Sequence, residues 1–189
     1  MKLNLNSWEE ISSSNQIVAD MLSDVNNIEL SRADIHLEKD IRYKTIKTLM
    51  WGYPTGGRGN NLNTAFDKNN FEYIVRTLKS YNKQTTLIEI KEDLNDKKIG
   101  LGISSISKLL YFLDLELEGY RCQILDDIII EVIKSEKFEE LLHLQNLNRS
   151  NAFNQYTSYN RTLSDISSNL DCTPDQVELF IYMFGRNLK

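Results

Sequence analysis

Punctuation is what most constrains this chain. Pro54 and Pro174 are its two prolines, and its eight glycines are clustered, with four inside 52–59 and a pair at Gly100 and Gly102. Proline ends helices and glycine weakens them. A chain of 189 residues with so few of either is left with long uninterrupted stretches. Those stretches carry apolar residues at helical spacing rather than in strict alternation. The expected fold class is all-α.

Helix starts can be placed from local chemistry. Ser7-Trp8-Glu9-Glu10 has capping-box form, and Trp8, Ile11, Ile17, Val18, Met21, Leu22 and Val25 give a first helix its apolar set. Ser31-Arg32-Ala33-Asp34 repeats the capping pattern and opens a segment, broken near Leu37, that reaches Trp51. Phe66 to Tyr81 reads as a helix with Phe71, Ile74, Val75 and Leu78 on one face. Thr86-Leu87-Ile88-Glu89 starts a short helix to Leu94. The next helix follows Gly102 and is expected to run to about Glu118, with Gly119 as its stop. Asp126 to Leu144 follows in one or two pieces, and the β-branched run Ile128-Ile129-Ile130 leaves a strand open there. Phe153 to Leu170 and Pro174 to Leu188 complete the set, with Pro174 suited to a first helical turn. The last helix carries Leu179, Phe180, Ile181, Tyr182, Met183 and Phe184, the composition of a packing helix rather than of a DNA-reading one. No repeat or linker divides the chain, so residues 1–189 read as one domain.

Composition narrows the classes. Hydrophobic residues at 41% and charged residues at 26% describe a globular chain. No apolar run approaches membrane-spanning length and Met1-Lys2-Leu3-Asn4 leads into no signal-peptide core, so the expectation is a cytoplasmic protein without a membrane partner. Cys122 and Cys172 are too few for a disulfide framework and too isolated for a metal site, and His36 and His143 stand alone. No metal is expected. The net charge of −5 opposes general affinity for nucleic acid. Its distribution is uneven, however: Lys39, Arg42, Lys44, Lys47 and Arg58 face only Asp40 within 39–58, and acid gathers at Asp114, Glu116, Glu118 and from Asp126 to Glu140.

Two stretches carry chemistry. Ile99-Gly100-Leu101-Gly102-Ile103-Ser104 places two glycines directly before a helix. Glycine lets a phosphate approach the backbone, and the first N–H groups of a helix have no internal partner and sit at the positive end of its dipole. Gly100, Gly102, Ile103 and Ser104 are therefore expected to hold an anion. Within that helix Ile103, Ile106, Leu109, Leu110 and Leu113 share one face, with Ser104, Lys108 and Tyr111 roughly opposite. A lysine between apolar walls loses affinity for its proton and becomes a nucleophile. The competing reading is a solvated lysine lying over Tyr111. The second stretch, Trp51-Gly52-Tyr53-Pro54-Thr55-Gly56-Gly57-Arg58-Gly59, combines flat rings for a base with Arg58 for a phosphate. It is not a Walker loop, because Gly-Lys-Ser/Thr is absent. An ordinary interhelical loop with Trp51 in the core is the alternative.

Lys-Ile-Gly-Leu-Gly-Ile-Ser at 98–104, the apolar helix after it and Ile-Leu-Asp-Asp-Ile-Ile-Ile-Glu-Val at 124–132 together resemble the helix-hairpin-helix DNA glycosylases. Within that superfamily they are most similar to 8-oxoguanine DNA glycosylase-fold proteins, including short members from bacterial anti-phage defence operons. The resemblance implies two helical lobes around a groove, with the hairpin near 90–113 and the terminal helices packed together. It implies an N-glycosylase, with or without lyase activity, that excises an altered purine from DNA. Asp126 falls at the aspartate position that stabilises the developing sugar cation, although a capping aspartate would stand at the same place. Many relatives place the nucleophilic lysine just after the second glycine, where this chain has Ser104. Archaeal relatives place it deeper in the helix, which matches Lys108. Trp51 and Tyr53 are then base-binding and Arg58 DNA-binding. No cofactor is implied beyond a monovalent cation on the hairpin carbonyls, and partner proteins of a defence operon come with the resemblance. The alternative is a non-catalytic nucleic-acid-binding or accessory protein that kept the hairpin and lost the chemistry.

Overall fold

A computed structural model of the protein describes residues 1–23, 29–56 and 60–188. Val25, counted above in the first helix, and Arg58 lie outside the described residues. The architecture is all-α with one two-stranded ribbon.

The first helix is two. After a 3₁₀ turn at Leu5–Trp8 come α1 (Glu9–Ser14) and α2 (Gln16–Ser23). Asn15 divides them: its backbone is extended and its Oδ1 accepts from Val18 N–H at 3.3 Å, capping α2. The capping box expected at Ser7 does not form. Trp8 occupies the N-cap of α1 with no side-chain cap, while its buried indole donates to the Tyr53 carbonyl at 3.2 Å. The boxes at Ser31 and Thr86 both form, starting α3 (Arg32–Leu37) and α7 (Leu87–Ile90). Between them lie α4 (Ile41–Gly52), α5 (Asn61–Phe66) and α6 (Lys68–Ser80), the last burying Phe71, Ile74, Val75 and Leu78 as its spacing predicts.

From α7 the chain passes through a π turn at Lys91–Asn95 and the glycine hairpin into α8 (Ile103–Phe112), the central helix of the fold. Every residue of α8 except Ser104 is buried, so it has no water-facing side. It ends six residues before the expected Glu118. Leu115 N–H reaches the Leu110 carbonyl at 3.2 Å and Asp114 N–H reaches Tyr111 at 3.1 Å, with Asp114 at φ 54°. This is the hydrogen-bond pattern of a Schellman stop, built on aspartate where a sequence reading looks for glycine. Gly119 instead serves, with Glu118, the positive-φ turn between β1 (Glu116–Leu117) and β2 (Tyr120–Arg121).

Beyond the ribbon are α9 (Asp127–Lys134), a 3₁₀ turn at Glu139–Leu144, α10 (Ala152–Asn169) and α11 (Pro174–Phe184). The isoleucine run is thus helical. The helices up to α8 pack mainly on one another, as do α9 to α11, and one continuous core joins both groups. On α11, Val177, Glu178 and Ile181 face inward, but Phe180, Met183 and Phe184 are about half exposed. The packing-helix expectation holds for one side of it only.

Candidate active site

A cavity of about 650 Å³ opens where the two helical groups meet. Trp51, Tyr53 and Lys108 line it from one side, and Asp126, Phe153 and Glu178 from the other.

Lys108 is 7% exposed. Its stem passes Gly52 so closely that a Cβ there would lie 3.2 Å from Lys108 Cδ. Its Nζ donates to Ser104 Oγ at 2.8 Å and to the Ser104 carbonyl at 3.1 Å. Burial pushes its affinity for a proton down, and Asp126 works in the opposite direction. The solvated-lysine reading is therefore excluded. Ser104 and Lys108 share one helical face as their spacing requires.

Asp126 both caps and faces the lysine. Its Oδ1 accepts from Ile128 and Ile129 N–H at 3.0 and 3.1 Å, which makes it the N-cap of α9. Its Oδ2 stands 3.9 Å from Lys108 Nζ, an ion pair beyond hydrogen-bond length. The extended segment before it is held from two helices. Leu125 N–H donates to Ser107 Oγ of α8 at 3.0 Å, and Tyr156 and Tyr159 of α10 donate to the Gln123 and Ile124 carbonyls at 2.6 and 2.7 Å. Ser107, Tyr156 and Tyr159 thus position the aspartate without touching the cavity's chemistry. Their helical spacing gave no sign of it.

At the hairpin the two glycines differ. Gly100 has φ +82°, and a Cβ on it would sit 2.1 Å from the Asn61 carbonyl oxygen, so it is required by the fold. Gly102 has extended backbone and open space where a Cβ would go. It is the N-cap of α8, which has no side-chain cap. The side chain of Ile103 is buried, leaving its backbone as the part available to a ligand. Trp51 is half-buried, edge-on to Phe112 at 5.7 Å with the Arg32 guanidinium 5.6 Å from its ring centre. The Tyr53 hydroxyl pairs with Ser105 Oγ at 2.6 Å.

One cluster went unread in the sequence. Arg32 of α3 binds Glu178 of α11 at 2.8 Å and Asp175 at 3.2 Å, and Tyr111 donates to Asp175. Glu178 is fully buried, and its Oε1 has no hydrogen-bond partner among the described residues. Burial pushes this carboxyl up to about 7, against the pull of Arg32. An arginine–acid spacing of this length carries no periodic signal.

The fold and cavity define an all-α protein in which a lysine from the middle of the hairpin helix faces an aspartate that caps α9. A family model matches residues 1–182, and the chain belongs to the family described as "Putative 8-oxoguanine DNA glycosylase OGG-like protein". No curated protein and no solved structure matches it. Among the described residues no helix is long and apolar enough to cross a membrane, and no group of His, Cys, Asp and Glu could hold a metal.

Proposed function

We propose that the protein is a DNA N-glycosylase that excises an altered purine, with Lys108 as nucleophile and Asp126 as the electrostatic residue. The observation that carries this reading is the 3.9 Å approach of Lys108 Nζ and Asp126 Oδ2 in one cavity of an OGG-like chain. The neutral amine of Lys108 attacks C1′ of the sugar. The C1′–N bond to the base breaks, its electron pair leaves with the base, and the ammonium formed by attack supplies the base's proton. Positive charge that develops on the sugar is stabilised by Asp126. The adduct then becomes an imine as the C1′–O4′ bond opens and O4′ takes a proton, which permits strand cleavage.

Burial supports the first step, because it favours the uncharged, nucleophilic lysine. At a helix start without a side-chain cap, Gly102, Ile103 and Ser104 offer N–H groups to a backbone phosphate, and a monovalent cation would sit on the hairpin carbonyls. The proposed base lies against Trp51 and Tyr53, and Arg58 of the same loop takes a phosphate.

The test offers the protein duplex and single-stranded oligonucleotides, each carrying one modified base, with products resolved before and after hot alkali. Base loss with spontaneous strand cleavage is expected on at least one oxidised purine. Cleavage only after alkali would make water the nucleophile. Binding without any base loss would leave a non-catalytic DNA-binding protein.

A further inference from the structure

On its inner side α11 packs on α9 and α10 and buries Val177, Glu178 and Ile181. Its outer side is apolar and open: Leu179, Phe180, Met183 and Phe184 are 36, 46, 53 and 49% exposed. Single exposed apolar side chains are ordinary, but four on one helix face amount to roughly 350 Å² of apolar surface, the size at which a patch marks a contact site. The rings are already ordered. Phe180 meets Phe138 edge-on at 6.5 Å and Phe184 at 5.5 Å, so little side-chain freedom is left to lose on binding. Glu178 and Tyr182, which line the cavity, lie on other faces of the helix, and the stripe is separate from the site above.

Gln176, Phe180 and Met183 of α11, with Asn187 in the turn that prolongs it, recur at intervals of four, three and four, the seam of two paired helices. Leu179 and Phe184 flank that seam. The order is symmetric about a midpoint between residues 181 and 182: Phe180 mirrors Met183, Leu179 mirrors Phe184, and Gln176 mirrors Asn187. A face with this symmetry complements its own copy turned about a two-fold axis. We infer that the occupant of the face is a second copy of this chain, its α11 antiparallel to the first. Sulfur then meets ring at the centre, Leu179 meets Phe184 beside it, and amide meets amide at the rims.

Charge favours that direction. The stripe itself carries none. Asp171 stands before the N-terminal end of α11, and Lys137 stands at its C-terminal end, where its amine donates to the Gly185 and Arg186 carbonyls at 3.4 and 3.0 Å. Antiparallel pairing sets acid against base and turns the helix dipoles in opposite directions, whereas parallel pairing sets like against like. Area agrees. Two faces of roughly 350 Å² remove about 700 Å² of apolar surface, which at the usual apolar share of about 57% makes an interface of about 1,200 Å², the lower end of specific complexes. The dimer expected is reversible, with a Kd in the micromolar range. It uses neither Lys108 nor Asp126, and stands or falls apart from the excision reading.

The experiment is sedimentation velocity of the full chain from about 1 to 200 µM, a range that brackets the affinity expected of so small an interface. The mass should rise from 22.0 kDa towards twice that value. Phe180→Lys and Met183→Glu each bury a charge at the centre and should weaken association at least about a hundredfold, leaving a monomer throughout. Circular dichroism and Tm should hold, because both side chains are about half exposed. Since Phe180 of one copy faces Met183 of the other, mixing the two variants in equal amounts sets the new ammonium against the new carboxylate and leaves the second pair native. The mixture should dimerise again. Met183→Ala, gentler on the fold, should weaken the wild-type dimer about tenfold. Wild type that stays monomeric at every concentration, folded charge variants that still dimerise alone, a mixture that stays monomeric, or an unchanged affinity in Met183→Ala would each overturn the proposal.

Discussion

Single residues separate what holds this fold from what the cavity uses. Glu178 is the clearest case. Its carboxyl is pushed from the ordinary 4.5 to about 7, so the folded state holds a proton that the unfolded state has released between those values. Its ionisation therefore lowers stability as pH rises across that window, by about 3 kcal/mol in full. Urea titrations at pH 4.5 and 8 should show Glu178→Gln gaining on wild type by roughly that amount at the higher pH; an equal difference at both would mean that Glu178 is not strained. The two hairpin glycines give the opposite contrast. Gly100→Ala meets backbone at 2.1 Å with φ +82°, and should cost about 3 kcal/mol or more. Gly102→Val has open space and should hold Tm within a few degrees while weakening DNA binding at all sequences. Loss of stability at Gly102, or none at Gly100, would reverse these roles. Lys108, Asp126 and both glycines were legible from glycine spacing, helical faces and the family likeness. Arg32 and Glu178 were not, because they are 146 positions apart and meet only through folding.

At the level of elements, capping chemistry predicted some boundaries and missed others for local reasons. Ser31 and Thr86 cap as read, because each finds an acid three residues on. Ser7 had the same pattern and failed, since burial of Trp8 against Phe66 sets the entry of α1. The stop of α8 was misplaced to Gly119 because an aspartate took the left-handed position that glycine usually fills. The cap at Asp126 serves α9 and the cavity at once, and the two roles can be parted. Asp126→Asn keeps a capping oxygen and should change stability by less than about 0.5 kcal/mol, whereas Asp126→Ala should lose about 1–2 kcal/mol. Base release should fall by at least about tenfold in both, since the charge on the sugar then goes unopposed. Full activity in Asp126→Asn would reduce this residue to a cap.

Across the whole molecule, the helical class and the placing of a cavity between two helix groups follow from sparse punctuation and from burial on both sides of α8. What could not be read was the extended segment before Asp126, because side chains from α8 and α10 satisfy its backbone and leave no local pattern. The net charge of −5 leaves DNA binding to backbone N–H groups and few cations, so few counterions are released and affinity should fall only modestly with salt. In the proposed reaction the buried lysine in the middle of the hairpin helix attacks the sugar. Borohydride added to protein and a cleavable oligonucleotide reduces the imine to a permanent link, resolved on a denaturing gel. Wild type should trap, Lys108→Gln should not, and peptide mapping should place the link on Lys108. Trapping that survives in Lys108→Gln, or a link on another lysine, would contradict the account.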